Sequence, residues 1–381
     1  MKIVIAPDSF KGSMTAVQAA EAIKRGVNRV SDKIETVLVP CADGGEGTVA
    51  TLVAATNGKT KIIRVTGPLG ESVEAAYGLL HDNQTCVIEM AAASGIDLLL
   101  REELDPFKTT TYGVGELIKA ALDEGLRSFI IAIGGSATND GGAGMLEALG
   151  AKITDSQGKI VSRGGGGLAD VANVDLSSFD SRIEESQFII ASDVQNPFVG
   201  PNGASHVFGP QKGAGEADVR ELDANLTKWA DVTEKETGFR LHEAVGAGAA
   251  GGLGGALLAY LHAEMQQGAE VITNAAGLHE ALHGADIAIA GEGQVDFQTA
   301  YGKTPMGIAK AAQKQQIPTI IIAGSVGKGI DTLYEYGVQS VHSMINGPMT
   351  LDEAIEDAEE LMEDCAEQII RTALTFSSTP S

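Results

Sequence analysis

Short apolar runs alternate with polar, glycine-containing stretches and with segments of helical periodicity along most of the chain. The clearest runs are Lys2–Ala6 and Phe129–Ile133, and each is followed by polar residues. A short unbroken apolar run is typical of a strand that is buried on both faces, as in a parallel sheet. The helix after the first run begins with Thr15 and Gln18 as a capping pair. This repeated order of strand, polar loop and helix predicts an α/β fold with a parallel sheet.

The pattern changes after Lys61. Three strand-like runs follow with short connections, at Ile62–Thr66, Val73–Leu80 and Thr85–Met90. Short connections predict antiparallel pairing. The alternation of strands and helices resumes near Ala285. We therefore predict a parallel-sheet domain built from both chain ends, residues 1–60 and 285–381, and an inserted mixed α/β domain, residues 61–284.

Two long helices are predicted from their apolar periodicity. Glu216–Glu236 places Trp229, the single tryptophan, on an apolar seam, where it is expected to be part of the core. The C-terminal helix is predicted at Leu351–Ala373, and its acidic run is interpreted as a solvated face. Its predicted inward residues are Leu351, Ile355, Ala358, Met362 and Ile369.

A glycine-rich turn follows the strand at Phe129–Ile133 and precedes a predicted helix that stops at Gly150. Such a turn brings free backbone N–H groups and a helix N-terminus together, which suits a phosphate. A glycine turn between a strand and a helix is also often purely structural. Four polar side chains beside the glycines favour the binding interpretation. The residues that we assign to binding here are Gly134, Gly135, Ser136, Asn139 and Asp140.

Acidic glycine loops recur at the ends of predicted strands. The pattern DGGxG occurs at Asp43–Gly47 and at Asp140–Gly144, and further polar loops are predicted at Gly291–Asp296 and Ser192–Asn196. Ligands bind at the carboxyl ends of strands in open α/β sheets. Each acidic residue alone is more often a cap or a turn former. Together, carboxylates, lysines and glycine turns predict a site for Mg²⁺ and phosphates.

Composition limits the classes of partner. The chain has 381 residues and a net charge of −24, with no visible basic patch, so a nucleic-acid partner is not expected. No apolar run approaches the roughly 18 residues that a membrane span needs. The three cysteines, Cys41, Cys86 and Cys365, are far apart and are interpreted as reduced thiols. We expect a cytoplasmic protein without a membrane partner.

Three short motifs match only in part. His279–His283 fits HExxH, but the downstream zinc-protease residues are missing. Gly246, Gly248 and Gly251 fit GxGxxG without a convincing strand before them, although the helix at Leu253–Leu261 could still offer its N-terminus to a phosphate. Gly302-Lys303-Thr304 resembles the end of a phosphate-binding P-loop whose first glycine is replaced by Phe297. Thr304 is interpreted as a helix N-cap before Pro305.

Five longer segments in the same order resemble the bacterial glycerate kinase family, type 1. They are Ala6–Ala16, Pro40–Thr48, Gly134–Gly150, Ser192–Ala204 and Gly291–Pro305. The resemblance covers essentially the whole chain. It implies a flavodoxin-like domain and a restriction-enzyme-like domain. It also implies ATP-dependent phosphorylation of D-glycerate, with the 2-hydroxyl as the expected acceptor and the 3-hydroxyl as the alternative.

The roles of single residues are predicted from their chemistry. Phosphoryl transfer depends mainly on positioning and charge neutralisation, and we expect it in a cleft between the domains, with the two DGGxG copies on opposite walls. The predicted catalytic residues are Asp193 or Asp296 as proton acceptor and Lys11. The predicted metal ligands are Asp43, Glu46 and Glu292. The predicted substrate or phosphate ligands outside the glycine-rich turn are Asp8, Ser9, Asn196 and Lys303.

Two other functional classes remain open at this point. A nicotinamide-dependent hydroxy-acid dehydrogenase would fit the α/β architecture and would not need ATP. A non-catalytic regulator would bind glycerate without consuming ATP. The sequence also leaves the oligomeric state open.

Overall fold

The chain divides into two compact units in the structure, a computed structural model that describes residues 1–297, 299 and 303–377. Unit 1 comprises Met1–Asp43, Ala50–Asn57 and Ala269–Ser381, and unit 2 comprises Gly44–Val49 and Gly58–Gly268. Residues 269–284 therefore belong to unit 1, whereas the sequence placed them in the insert. Hydrogen bonds hold this segment there, because Lys2 Nζ donates to the carbonyl of His283 at 2.8 Å.

The described residues form the following strands and helices. The strands are β1 (Lys2–Pro7), β2 (Glu35–Leu38), β3 (Lys59–Thr66), β4 (Ser72–Leu79), β5 (Thr85–Glu89), β6 (Ser128–Ala132), β7 (Lys152–Thr154), β8 (Asn173–Asp175), β9 (Gln187–Ala191), β10 (Glu264–Gln266), β11 (Ile287–Val295), β12 (Thr319–Val326) and β13 (Val338–Ser343). The helices are α1 (Ala16–Val30), α2 (Thr48–Thr56), α3 (Ala91–Ser94), α4 (Tyr112–Asp123), α5 (Ala143–Ala148), α6 (Ala204–Phe208), α7 (Glu216–Thr237), α8 (Leu253–Tyr260), α9 (Gly268–Ala275), α10 (Leu278–Leu282), α11 (Thr304–Lys314), α12 (Leu351–Glu356) and α13 (Ala358–Ser377). No helix in the described ranges has both the length and the apolar character that a membrane span needs.

Unit 1 contains a five-stranded sheet in the order β13-β12-β11-β1-β2. All neighbouring strands in it are parallel. Renumbered within the sheet, this is the flavodoxin-like order 2-1-3-4-5, in which the strand order reverses between β1 and β11. The alternation of apolar strands and helices thus predicted the correct class of sheet. The reversal point matters because ligands bind at such points in open α/β sheets.

Strand β11 is longer than the sequence predicted. The segment Gly291–Asp296 was expected to be a loop, but β11 continues through Val295. It does so because β12 also extends, pairing Gln294 with Ser325 and Val295 with Val326. Gly291, Glu292 and Gly293 interrupt the apolar run, so a search for apolar residues alone does not find this extension. The extension places Glu292 within a strand, where its backbone is fixed by the sheet.

The helices of unit 1 confirm one predicted cap and show that one predicted long helix was wrong. Thr15 and Gln18 form the expected capping box at the start of α1. The C-terminal segment, however, is two helices, because α12 ends at Glu356 with Asp357 as its C-cap, and α13 begins at Ala358. The break changes the helical phase, so Leu351 is 75% exposed and Ile355 is 38% exposed, contrary to their predicted inward position. Ala358, Met362 and Ile369 are buried as predicted.

Unit 2 contains a mixed sheet in the order β10-β9-β6-β5-β4-β3. The strands β5, β6, β9 and β10 are parallel, and β3, β4 and β5 pair antiparallel as their short connections predicted. Phe129 of β6 stacks on Phe188 of β9 with 4.7 Å between ring centroids. The short strands β7, β8 and β10 carry no apolar run and were not predicted.

Trp229 of helix α7 contacts the backbone directly after the glycine-rich turn of unit 2. The Trp229 side chain is fully buried, as predicted, and its Nε1–H donates to the carbonyl of Gly141 at 3.0 Å. Its ring also packs against Tyr260. A hydrogen bond to a buried carbonyl restrains the backbone, because an unpaired buried carbonyl is costly.

We therefore expect Trp229→Phe to lower the free energy of unfolding by about 2–3 kcal/mol, through the unpaired carbonyl of Gly141 and the lost ring volume. Urea unfolding followed by far-UV circular dichroism measures this, since the variant has no tryptophan fluorescence. Tyr334→Phe, at a side chain that is 46% exposed, is the matched control. Equal stability of the Trp229 variant and the wild type would contradict the assigned contact.

Candidate active site

Two neighbouring strands of unit 1, β1 and β11, bring two carboxylates together at the point where the sheet order reverses. Asp8 directly follows β1 and Glu292 lies in β11, so strand pairing brings together two residues that are far apart in the sequence. Asp8 Oδ2 accepts a hydrogen bond from the Thr304 hydroxyl at 2.5 Å, and Oδ1 accepts one from the Ser9 N–H at 2.6 Å. Burial raises the pKa of Asp8 to about 6 in spite of these bonds, and the charge of Asp43 adds to the effect.

Glu292 is the second carboxylate of this pair whose pKa is raised. Its side chain is almost fully buried and accepts a hydrogen bond from the Thr299 hydroxyl at 2.7 Å. Lys303 Nζ lies 3.5 Å from Glu292 Oε2. Burial raises the pKa of Glu292 to about 7, with the charge of Asp8 acting in the same direction and Thr299 and Lys303 opposing it. A buried carboxylate that titrates near neutral pH is typical of a functional site.

The start of α11 supplies positive charge to these carboxylates. Lys303 occupies the N-cap position, and Pro305 lies in the first turn. Thr304 is therefore one position inside the helix and is not the N-cap that the sequence predicted, which leaves its hydroxyl free to donate to Asp8. The helix dipole and the Lys303 ammonium both favour an anion here. Gly302, used in the comparison with the P-loop, lies outside the described residues.

The remaining predicted residues of unit 1 are more exposed. Lys11 and Asp43 are exposed side chains. Asp296 is partly buried, and its Oδ2 accepts from Gln294 Nε2 at 3.3 Å. The described residues contain no group of three or more His, Cys, Asp or Glu side chains suited to a metal ion, and so Asp43, Glu46 and Glu292 do not form one.

In unit 2 the glycine-rich turn is open at its start and closed further along. Gly134 and Gly135 are exposed, and Ser136 is 8% exposed. The turn is fixed from one side, because the N–H of Ile96 donates to the carbonyl of Gly135 at 2.8 Å and the N–H of Ala137 donates to a neighbouring carbonyl. The backbone N–H groups of Gly134, Gly135 and Ser136 donate to no other residue among those described.

The first DGGxG copy belongs to unit 2 except for its first residue, Asp43, which is in unit 1. A Cβ atom built on Gly134 would lie 3.1 Å from the Cα of Gly45. Residues Gly44–Val49 belong to unit 2, as does the second copy, which corrects the expectation that the copies face each other from different domains. Glu89, which the sequence did not single out, accepts hydrogen bonds from the N–H groups of Gly47 at 3.3 Å and Val49 at 2.6 Å.

Asn139 and Asp140 lie on the closed part of the turn and are without solvent exposure. Asp140 Oδ2 accepts from the N–H and the hydroxyl of Thr111, at 2.8 and 2.9 Å. Its carboxylate also accepts from the N–H groups of Gly142 and Gly144, at 3.1 and 3.3 Å. Asn139 Nδ2 donates to Ser205 Oγ at 3.0 Å. These contacts give both side chains a part in shaping the turn.

Lys212 is the buried cation of this region and was missed in the sequence. Its ammonium group donates to Ser136 Oγ at 2.7 Å and to the carbonyl of Thr138 at 2.6 Å. Burial lowers the pKa of Lys212 to about 7, and the charge of Asp140 opposes this shift. Lys212 ends a short 3₁₀ turn, Pro210–Lys212, with no periodicity or motif around it. No local signal in the sequence could have indicated its position.

The last two predicted residues lie after β9. Asp193 is exposed, and its Oδ1 accepts from the N–H of Gly268 at 3.2 Å. Asn196 Nδ2 donates to the carbonyl of Asn202 at 2.8 Å. Both side chains thus hold loops at the carboxyl end of β9. Asp193 also has further interactions.

The GxGxxG segment packs against the glycine-rich turn and does not form a ligand loop. A Cβ atom built on Gly251 would lie 1.9 Å from the carbonyl oxygen of Thr138, and the N–H of Gly141 donates to the carbonyl of Gly251 at 3.0 Å. Leu253, the first residue of α8, is fully buried. The expectation that this helix offers its N-terminus to a phosphate was therefore wrong, because backbone of the same unit fills that space.

Comparison with known proteins agrees with this architecture. The model of the glycerate kinase family matches residues 3–374. The chain belongs to the glycerate kinase family. Over 367 residues it is 49% identical to the glycerate kinase of Halalkalibacterium halodurans, in an alignment that covers 96% of this chain and 97% of the relative. It is 48% identical over 358 residues to the glycerate 2-kinase of Escherichia coli, with 94% of each chain covered.

A solved structure extends the agreement to the fold. The crystal structure of a protein assigned as glycerate kinase 2 from Salmonella typhimurium superposes with a TM-score of 0.90 at 43% identity, covering 100% of both chains. The chain is thus an enzyme that phosphorylates glycerate with ATP, and the dehydrogenase and the non-catalytic regulator are set aside. Two clusters of this family member are suited to bind charged groups of a ligand. One is the carboxylates near Lys303 in unit 1, and the other is the glycine-rich turn that Lys212 contacts in unit 2.

Proposed function

We propose that the enzyme transfers the γ-phosphoryl group of ATP to the 2-hydroxyl of D-glycerate and forms 2-phosphoglycerate. The observation that carries the proposal is the pair Asp8 and Glu292 beside Lys303, at the reversal point of a flavodoxin-like sheet. Buried carboxylates next to a lysine and a helix N-terminus suit a metal–phosphate group. The similarity to the Escherichia coli glycerate 2-kinase favours the 2-hydroxyl over the 3-hydroxyl.

We further propose that Asp8 and Glu292 would hold Mg²⁺. The fit follows from their chemistry: both side chains are hard oxygen ligands whose pKa values burial raises, and the charge of Asp8 further raises the pKa of Glu292. A divalent cation would offset the cost of keeping these carboxylates ionised. Mg²⁺ is commonly bound by one or two carboxylates together with substrate phosphates, so a cluster of three acidic side chains is not required. When bound, the ion would offset the negative charge of the phosphates. The predicted ligands Asp43 and Glu46 remain candidates from the sequence.

The protein's own side chains then have separate tasks. Lys303 and Lys11 would neutralise charge on the transferred group or on the substrate carboxylate. Asp296 or Asp193 would accept the hydroxyl proton, and we favour Asp296 because it directly follows β11, which carries Glu292. Such reactions rest on positioning and electrostatic stabilisation more than on covalent chemistry.

The open part of the glycine-rich turn is proposed to bind an oxyanion of one substrate. Gly134 and Gly135 would do so through backbone N–H groups, and Ser136 through its hydroxyl. Ser9 and Asn196 complete the residues that we propose as binding groups, while Asn139 and Asp140 are proposed to shape the turn from below its surface. We place the reaction in the cytoplasm, where ATP is supplied and where free thiols such as Cys41, Cys86 and Cys365 persist.

The proposal is tested by identifying the product. Purified protein with ATP, Mg²⁺ and D-glycerate should produce ADP, and the product should be converted by added enolase without a phosphoglycerate mutase. Phosphorus NMR of the unprocessed product should show 2-phosphoglycerate. Reactions without glycerate, with L-glycerate or with EDTA are the controls.

Each failure in this assay has a separate meaning. Absence of ATP consumption with D-glycerate would contradict the kinase proposal itself. A product that enolase converts only after a mutase is added would contradict the 2-hydroxyl assignment and indicate the 3-hydroxyl. Full activity in the presence of EDTA would contradict the proposed Mg²⁺ site.

A further inference from the structure

A buried lysine lies behind a glycine-rich turn that is exposed at Gly134 and Gly135 and carries no cationic residue of its own. The turn, Gly134–Asp140, has the sequence GGSATND. Lys212 approaches it from a 3₁₀ turn more than seventy residues further along the chain and is only 1% exposed. The ammonium group contacts the turn at two oxygens, Ser136 Oγ and the carbonyl of Thr138. A charge in this position is not explained by the fold alone, because burying a lysine is costly and an apolar side chain would fill the same space.

The hydrogen-bond directions show what the contact does to Ser136. In its charged form the Lys212 amine can only donate, so Ser136 Oγ is then the acceptor of the bond at 2.7 Å. Within residues 1–297, 299 and 303–377 the Ser136 hydroxyl donates no hydrogen bond of its own. Its hydrogen is therefore available to an acceptor outside the chain. A hydroxyl that accepts from a cation is also a stronger donor, because linked hydrogen bonds polarise one another.

The other donors of the turn are close to this hydroxyl. The backbone N–H groups of Gly134, Gly135 and Ser136 follow one another along the chain and have no acceptor among the described residues. Gly135 has a φ of 73°, and successive N–H groups with such a left-handed residue form a concave anion-binding arrangement. The charge of Asp140 acts on Lys212, and the oxygens of this carboxylate are engaged by Thr111, Gly142 and Gly144.

We propose that Lys212 is a positioning residue that holds Ser136 as an outward hydrogen-bond donor and gives the glycine-rich turn the positive charge to bind an oxyanion of the substrate. The ligand is a carboxylate or a phosphate, that is, the carboxylate of glycerate or a phosphate of ATP. Lys212 itself does not touch the ligand and acts through Ser136 and through its charge. This inference rests on the proposed kinase function and adds the residue that makes this turn selective for anions.

The test compares Lys212→Met, Ser136→Ala and the double variant with the wild type. Methionine keeps the volume of the lysine side chain and removes its charge. We expect Lys212→Met to lower kcat/KM about 100-fold and Ser136→Ala to lower it about 10-fold. The double variant should be within about threefold of Lys212→Met, since both changes interrupt the same contact. Lys235→Met, at an exposed lysine of α7, is the control for loss of one positive charge.

The Michaelis constants identify the ligand. A raised KM for D-glycerate with an unchanged KM for ATP indicates the carboxylate, and the reverse indicates the phosphate. Unchanged KM and kcat in a folded Lys212→Met protein would overturn the proposal, as would losses that multiply fully in the double variant. If Lys212→Met does not fold, Ser136→Ala decides: an unchanged KM for both substrates at unchanged thermal stability overturns the proposal.

A second measurement separates this inference from the proposed function. Isothermal titration calorimetry with inorganic phosphate measures anion binding by the full chain without any reaction. Binding by the wild type that weakens about 10-fold in Lys212→Met and in Ser136→Ala supports the inference even if D-glycerate is not phosphorylated. Equal phosphate binding by all three proteins, together with unchanged Michaelis constants, contradicts it.

Discussion

Replacing Glu292 by glutamine should lower kcat/KM at least about 100-fold and, in the same protein, raise thermal stability at pH 8. The loss of activity is expected because the carboxylate charge that would hold the metal–phosphate group is gone. The gain in stability is expected because the folded wild type keeps an almost fully buried carboxylate beside Asp8. Strain of this kind is common where residues are selected for function and not for stability.

The pH dependence of this effect follows from the raised pKa. The folded state holds the Glu292 proton more tightly than the unfolded state, so the contribution of Glu292 is favourable below the ordinary glutamate pKa. It is lost as the pH rises through a folded pKa of about 7. The cost at pH 8 is about 3 kcal/mol. Glutamine carries no charge, and the stability difference between the proteins should therefore be large at pH 8 and small at pH 5.

Thermal melts of both proteins from pH 5 to pH 8 in EDTA, together with the coupled assay, measure the two effects. Glu335→Gln, at an exposed glutamate of the same unit, is the matched control and should change neither. Addition of Mg²⁺ at pH 8 should raise the melting temperature of the wild type more than that of Glu292→Gln. A Glu292→Gln enzyme with normal kcat/KM would contradict the proposed role, and one that is less stable at pH 8 would contradict the physical account.

Replacing Asp140 by alanine should lower the free energy of unfolding by about 3–5 kcal/mol. The Asp140 carboxylate has no solvent exposure and accepts from three backbone N–H groups and from the Thr111 hydroxyl. Removing it leaves these donors buried without an acceptor and leaves Lys212 without its nearby negative charge. The second DGGxG copy would then lose the group that fixes its shape.

Urea unfolding of unit 2, followed by Trp229 fluorescence, measures this loss directly because the single tryptophan bonds to Gly141 of the same turn. Asp97→Ala, at an exposed aspartate of unit 2, is the control. The comparison also separates two roles for Asp140. A stable Asp140→Ala protein with a raised KM would favour direct contact with substrate, as the sequence predicted, whereas a large loss of stability supports the structural role.

The sequence determined the elements whose signals are local. Apolar runs located β1 and β6, because a buried strand needs successive apolar side chains, and helical periodicity located α7. The capping box of Thr15 and Gln18 marked the start of α1 correctly. Short connections predicted the antiparallel pairing of β3, β4 and β5. The resemblance of five long segments also indicated the family that the comparisons show.

Local signals failed where distant segments decide the outcome. The extension of β11 through Val295 depends on its partner β12, and the exposure of Leu351 depends on the break at Asp357. The apolar-run criterion cannot detect a strand that contains Gly291, Glu292 and Gly293. Thr304 looked like an N-cap, yet its hydroxyl bonds to Asp8, nearly three hundred residues away.

The candidate site divides in the same way. The residue pattern predicted that carboxylates, lysines and glycine turns follow the strands of an α/β protein, because residue types and strand ends are local properties. No local pattern predicted that Asp8 and Glu292 become neighbours through the parallel pairing of β1 and β11, that Asp140 is buried, or that Lys212 lies behind Ser136. The physical reason is that burial and charge proximity, which set the pKa values and donor directions of these groups, arise from packing between segments that are remote in the chain.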